Sequence, residues 1–336
     1  MILAIPKAVL VPDLLPGDSM RQTTIRQGFS CSGIGLHSGS RVSLGVEPAP
    51  AGSGIVLEVC APAGVERIVP SPGAVIATGL ATTLGNGRVA VSTVEHFMAA
   101  VRGLGIDNLR IDAHGAELPI MDGSAAPFVM LLKDAGFKRQ PAPRRVLRVK
   151  KALTHESGAK SIRVEPYDGF LVDYTIDFAH PLIGVQKMSL ELTPESFSEV
   201  AKARTFGFLR EVEALYARGL ALGGSLENSV VLDDRGVVNQ EGLRFPDEFV
   251  RHKILDFIGD MAMLELPLWG KFQVRCSGHA LNNQFLRLLN ENRDIYLEET
   301  TLPLPQERPQ ESLQERPQGR RKGAPLPAGL PGGAPA

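Results

Sequence analysis

The run Phe249-Val250-Arg251-His252-Lys253-Ile254-Leu255-Asp256-Phe257-Ile258-Gly259-Asp260 carries an imidazole and two carboxylates at intervals of four. As a helix, His252, Asp256 and Asp260 share one stripe, each about 6 Å further along the axis. Ile254, Leu255, Phe257 and Ile258 fall mostly away from that stripe and can face a core, which leaves the polar side for a cleft. His and Asp four apart can take one metal ion. Seen alone, the pair also reads as an ordinary i,i+4 contact of an amphipathic helix, so a second half-site is needed.

Ser92-Thr93-Val94-Glu95-His96-Phe97-Met98-Ala99-Ala100 supplies it. Ser92 and Glu95 have the spacing of a capping box, which by itself would account for Glu95 as a partner of free backbone amides. A cap leaves His96 unexplained. Two His and one Asp with a position left open is the composition of a catalytic zinc site, and Glu95, beside one ligand, can accept a proton from water there. A third stretch, Ser277-Gly278-His279-Ala280-Leu281-Asn282-Asn283, adds a His after a Gly, where backbone can approach a ligand closely.

Five separated motifs in order then carry a resemblance: Val91-Ser92-Thr93-Val94-Glu95-His96, Gly105-Ile106-Asp107-Asn108, Pro119-Ile120-Met121-Asp122-Gly123-Ser124-Ala125, Ala203-Arg204-Thr205-Phe206-Gly207-Phe208, and Arg251-His252-Lys253 through Asp260. Over residues 21–300 the chain closely resembles the bacterial UDP-3-O-acyl-N-acetylglucosamine deacetylases of lipid A synthesis. The resemblance implies hydrolysis of the N-acetyl group of that nucleotide sugar, with Zn²⁺ on His96, His252 and Asp256. Such an ion lowers the pKa of water toward ~7 and polarises the acetamide carbonyl. Iron suits two His and one carboxylate as well.

Amide hydrolysis needs a base for the water, a donor where the oxyanion develops and an acid for the departing amine. Glu95, the Thr205 hydroxyl and His279 are the residues of the right type, and relatives use these positions in the same roles. Asp260, one turn beyond Asp256, would raise the pKa of His279, or else orient a metal ligand. Lys253 would meet the diphosphate, Phe206 would contact the substrate, and Phe178 would stack on uracil unless it is a core residue. Where relatives often carry Lys, this chain has Cys276. If Gln273-Val274-Arg275-Cys276 is a strand, Arg275 faces the other way and does not replace that Lys.

Two rivals stay open. One is a zinc hydrolase of the same scaffold acting on another N-acylated sugar. The other is a non-catalytic nucleotide-sugar binding protein, which explains Lys253 and the glycines but gives no reason to keep Glu95, Thr205, Asp260 and His279 together.

Composition narrows the partners. Lys and Arg number 36 against 37 Asp and Glu, and aromatics make up 6%, so nucleic acid is not expected. Cys31, Cys60 and Cys276 are widely spaced with no Cys-x-x-Cys, which points to reduced thiols in a cytoplasm. No run reaches the roughly 20 apolar residues of a membrane span, and Met1–Leu15 reads as neither signal peptide nor anchor. No obligate protein partner is evident, and the role implied by the resemblance is cytoplasmic in a Gram-negative bacterium.

The positioning elements follow from pattern. Gly33-Ile34-Gly35-Leu36-His37-Ser38-Gly39 lacks the third-glycine spacing of a dinucleotide fingerprint and reads as turns between strands. Strands over 42–46, 55–59 and 108–112 alternate with helices over 93–102 and 127–134, the latter with Pro127 in its first turn and Gly136 beyond its end. Gln140-Pro141-Ala142-Pro143-Arg144-Arg145 reads as a linker. Beyond it come strands over 145–150, 161–165 and 170–178, then helices over 194–202, 249–263 and 280–290.

The fold class expected is α+β, with two similar two-layer sandwich domains and the metal in the cleft between them. The division is 1–20 extension, 21–143 domain I, 144–300 domain II and 301–336 disordered tail. Residues 207–232 form an insert in domain II, with Leu209, Val212, Leu215 and Tyr216 on one helical face ending at Gly219. The resemblance makes that insert a hydrophobic passage for the acyl chain. In the tail, Gln306-Glu307-Arg308-Pro309-Gln310 recurs as Gln314-Glu315-Arg316-Pro317-Gln318.

Overall fold

A computed structural model describes residues 20–61 and 64–304. The proposed N-terminal extension, but for residue 20, and nearly all of the tail lie outside the described residues. The chain is a mixed α+β structure. Its first half runs β1 (Arg21–Ile25), β2 (Phe29–Ile34), β3 (Arg41–Pro48), β4 (Ile55–Ala61), β5 (Gly64–Ile68), β6 (Val75–Ala77), β7 (Thr83–Gly85), β8 (Ala90–Val91), helix α1 (Glu95–Gly103), β9 (Leu109–His114), α2 (Ala126–Asp134) and β10 (Phe137–Pro143).

The second half runs β11 (Arg145–Val149), β12 (Leu153–Ser157), β13 (Lys160–Glu165), β14 (Phe170–Phe178), β15 (Gly184–Glu191), α3 (Ser198–Ala201), β16 (Phe206–Phe208), α4 (Leu209–Ala217), β17 (Val230–Leu232), α5 (Glu248–Met261), β18 (Leu268–Arg275), α6 (His279–Glu291), α7 (Arg293–Tyr296) and β19 (Leu297–Thr301).

One topological plan occurs twice. In the first half, hairpins β2-β3 and β4-β5 accept β9 between them, antiparallel to β3 and parallel to β4. In the second, hairpins β12-β13 and β14-β15 accept β18 between them, antiparallel to β13 and parallel to β14. A helix precedes each inserted strand, α1 before β9 and α5 before β18, and another follows it, α2 and α6. β3 and β14 alternate buried and half-buried residues, as strands with one face on a core must.

Helices α1 and α5 pack on each other. Ile254, Leu255, Phe257 and Ile258 are 0% exposed, and His252, Asp256 and Asp260 are buried too, because α1 covers the polar side. The crossing is close. A side chain at Gly259 would overlap the carbonyl of Glu95, so only glycine lets the first turn of α1 lie against α5.

Several expectations are corrected. Gln140–Pro143 is not a linker but belongs to β10, which pairs antiparallel with β1 in a two-stranded ribbon. Pro141 and Pro143 are tolerated there because a ribbon strand needs only some of its donors. The helix expected over 194–202 shortens to α3, since the Ser196 hydroxyl and Thr193 bond to each other and to local backbone in competing turns. Cys276 lies beyond the end of β18 with φ 50°, so strand alternation does not fix its side relative to Arg275. Apart from these corrections, no residue of α4 is buried, and Leu209 and Tyr216 are 50% and 48% exposed, so its apolar face does not point into the core.

Candidate active site

Glu95 and His96 open α1, and no capping box forms there. Val94 is the N-cap without a side-chain bond, the Ser92 hydroxyl accepts from Thr83, and Glu95 Oε2 accepts the Thr82 amide at 3.0 Å. The turn is forced: Thr93 sits at φ 58°, an outlier for a β-branched residue, with its hydroxyl donating to Glu117 at 3.2 Å. The second oxygen of Glu95 is left facing the cleft chemistry.

His96, His252 and Asp256 come together across α1 and α5, with ligating atoms all within 4.8 Å of one another. Asp256 Oδ1 is buried without a hydrogen-bond partner, 3.2 Å from His252 Nε2 and 3.6 Å from His96 Nε2. An orphaned carboxylate oxygen between two imidazole nitrogens is the arrangement a metal ion satisfies. His252 Nδ1 donates to the Ala203 carbonyl at 3.1 Å, which fixes the tautomer and leaves Nε2 as a lone pair. Burial pushes the His252 pKa down to about 3, so the ring is neutral as a ligand must be. Burial alone would raise Asp256, but the Lys253 ammonium, 2.8 Å from its Oδ2, helps hold it well below the usual carboxylate range. These residues fit a divalent metal.

His279 begins α6 beside this group. Its Nε2 lies 4.0 Å from Glu95 Oε1 and 4.0 Å from Asp256 Oδ2. Its Nδ1 donates to Asp260 Oδ2 at 2.8 Å. Burial alone would lower the His279 pKa, but the Asp260 charge and hydrogen bond, with Glu95 and Asp256, raise it to about 10. Burial pushes the Glu95 carboxyl up, partially offset by His279 and His96. One cavity thus holds an imidazole kept protonated and a carboxylate made more basic.

The cavity, ≈ 390 Å³, is lined by Glu95, His96, Thr205, Phe206, His252, Lys253, Asp256 and His279, with Leu36, Leu80, Ser157, Lys160 and Gln284 around them. Lys253 Nζ donates to Asp256 Oδ2 at 2.8 Å and lies over the Phe206 ring at 5.4 Å. Asp260 stands behind His279 rather than on the cavity wall. Phe178 does not line the cavity; it packs edge-on against Phe206 with ring centroids 5.6 Å apart.

Sequence reasoning missed Thr82, whose amide holds Glu95 and whose hydroxyl donates to Asp260 Oδ1 at 2.6 Å. It missed Asn282, which donates to Asp260 Oδ2 at 2.7 Å, although Asn282 stands in the quoted run after His279. It also missed Ser157 and Lys160, at the turn ends of β12 and β13, which no local signal marks.

Comparison with known proteins bears on what this constellation belongs to. Residues 22–291 match the LpxC family, UDP-3-O-acyl N-acetylglycosamine deacetylase. A UDP-3-O-acyl-N-acetylglucosamine deacetylase from Nitratidesulfovibrio vulgaris is 59% identical over 288 residues, 86% of this chain and 94% of the relative. The protein of the same name from Oleidesulfovibrio alaskensis is 59% identical over 290 residues, 86% and 95% of the two chains, and that from Lawsonia intracellularis 53% over 278 residues, 83% and 91%. A match over most of the chain, carried by relatives matched nearly end to end, makes this chain a member of the UDP-3-O-acyl N-acetylglycosamine deacetylase family.

Proposed function

We propose that this chain is a zinc-dependent amidohydrolase that removes acetate from UDP-3-O-acyl-N-acetylglucosamine, freeing the amine for lipid A assembly. The observation that carries the reading is a His/His/Asp metal group sharing one cavity with Glu95 and His279, whose pKa values are tuned for base and acid work. Zn²⁺ held by His96, His252 and Asp256 would supply the Lewis acidity that activates water and polarises the acetamide carbonyl.

The remaining steps belong to the chain's own side chains. Glu95 accepts the proton of the attacking water through Oε1, while the Thr82 amide holds Oε2 in place. As the carbonyl carbon becomes tetrahedral, Thr205 offers its hydroxyl to the developing oxyanion. His279 gives its Nε2 proton to the departing amine, and Asp260 stabilises the imidazolium until that moment. Lys253 and Phe206 bound the cavity where the sugar diphosphate would lie, with Phe178 bracing Phe206.

Residues 21–143 and 144–300 are read as two domains, supported by the repeated strand plan. The exposed apolar face of α4 supports the acyl-passage reading of the insert. No helix among the described residues is long and apolar enough to cross a membrane, and the proposed role sets the protein in a Gram-negative cytoplasm.

The deciding assay is acetate release from UDP-3-O-acyl-N-acetylglucosamine by chelator-stripped protein, with and without restored Zn²⁺, alongside His279→Ala. Activity is expected to return with zinc and to fall by roughly 10²–10⁴-fold in the variant. Restored protein that binds the nucleotide sugar but releases no acetate overturns the enzyme reading.

A further inference from the structure

We infer that Glu248 is the hub of a buried clamp that sets Thr205 in register with the metal ligand His252, a positioning role in the reaction proposed above. The inference rests on that reading for the role of Thr205.

Arg204 and Glu248 are 2% and 0% exposed, which makes them a fully buried ion pair. Glu248 accepts from Arg204 three times, from the backbone N at 3.0 Å, Nε at 2.9 Å and Nη2 at 3.2 Å, and it accepts the Arg244 amide at 2.6 Å. Arg204 completes its donors on Glu241 at 2.8 Å and the Gly242 carbonyl at 2.7 Å. Taking two charges out of water is costly, and a well-packed apolar pair of similar volume often serves stability as well. What an ion pair with this many directed bonds provides beyond that is register.

The register it fixes runs through the site. Glu248 is the first residue of α5, and His252 lies one turn later. These two side chains grip neighbouring residues of one segment, Glu248 through Arg204 and His252 through the Ala203 carbonyl. Thr205 comes next and lines the cavity. Its own backbone is fixed on both sides, the amide donating to the Gly123 carbonyl at 2.8 Å and the carbonyl accepting the Val230 amide at 2.8 Å.

The Pro119–Ala125 motif, which no catalytic role accounts for, belongs to the same device. Gly123, at φ 81°, brings its carbonyl to Thr205 at a place where a side chain would overlap the Asn228 carbonyl. Asp122 accepts from Arg244 Nη1 at 2.9 Å, and Arg244 Nη1 also donates to the Lys202 carbonyl at 2.9 Å. Three sequence motifs therefore converge on the placement of one threonine.

The test is kinetics of the zinc-loaded protein for Glu248→Gln, Arg244→Ala and Thr205→Ala, singly and as doubles with Thr205→Ala, together with zinc affinity by competition against a chelating dye. Arg244→Ala is included because its partly exposed side chain can be removed while Arg204 and Glu248 stay paired. The expected result is a fall in kcat of roughly 10–100-fold for Glu248→Gln and a smaller, several-fold fall for Arg244→Ala, with KM within about twofold. In the Thr205→Ala background both falls should largely vanish, since residues acting through one partner are not additive. Zinc affinity should hold within about threefold of wild type.

Full additivity with Thr205→Ala overturns the inference, as does a loss of zinc affinity beyond tenfold, which would place the clamp's effect on His252. Thr205→Ala with unchanged kcat refutes the role of Thr205 itself, and that outcome is read without any Glu248 variant.

Discussion

Replacing Gly259 by alanine sets helix propensity against packing. In an exposed helix interior the exchange gains about 1 kcal/mol. At this crossing the new Cβ would lie 2.8 Å from the Glu95 carbonyl carbon and 3.0 Å from Glu95 Cα, besides overlapping the oxygen. Carbon contacts are comfortable at about 3.5–4.0 Å, so α1 and α5 must separate by on the order of 1 Å. Overpacking of this kind costs about 1–3 kcal/mol, which outweighs the propensity gain.

The expected net loss, up to about 2 kcal/mol, lowers the thermal midpoint by roughly 2–4 °C per kcal/mol. Activity should suffer more than stability. Glu95 and His96 are the first two residues of α1, while Asp256 and Asp260 flank Gly259 on α5, so the separation acts directly on the geometry of the proposed metal and proton-transfer groups. A shift of that size can reduce kcat by roughly 10–100-fold. The assay pairs circular-dichroism melting with acetate release at saturating substrate. A Gly259→Ala protein that melts higher than wild type and keeps its kcat would refute the packing argument.

Two further outcomes are expected. Asp260→Asn removes the charge that holds His279 protonated up to about 10, so the alkaline fall of kcat should move to lower pH; an unmoved limb in a kcat–pH profile would detach Asp260 from His279. Thr82→Val deletes a hydroxyl bonded to Asp260 and should lower kcat by roughly tenfold, while Thr82→Ser keeps most of it; equal activity of the two variants would deny the hydroxyl a role.

The sequence made some of this legible because some relations are local. His252, Asp256 and Asp260 follow a helical period, and a period of four residues needs no knowledge of the rest of the chain. Glu95 shows the limit of the same kind of evidence. Ser-x-x-Glu spacing is a cap by local rules, yet Thr93 adopts a backbone conformation that breaks the cap and turns Glu95 toward Thr82. Thr82 itself bonds to a residue 178 positions away, and Arg204 to one 44 away, relations with no local signature. The prolines of β10 suggested a linker because Pro usually ends a strand, and only its pairing with β1, from the far end of the same half, allows it there. The alternation of β3 and β14 was readable for the opposite reason, since one buried face imposes a period of two on a single segment.

The repeated insertion of a central strand has a consequence for how the chain emerges from the ribosome. In each half the strand that joins the two hairpins is made after both of them, so inner strands wait with open edges until β9, and later β18, arrives. The first sheet can close once residue 114 is free, while α5 does not yet exist. During that interval His96, buried edge-on against His252 in the finished fold, belongs to a helix that lacks its partner. Chains fold from the N-terminal end first, and such half-made surfaces are where nascent proteins aggregate or are held by chaperones. His96 is thus synthesised well before His252 and Asp256, whose side-chain nitrogen and oxygen come within 4.8 Å of its own, and the cluster comes into being only at the last docking step.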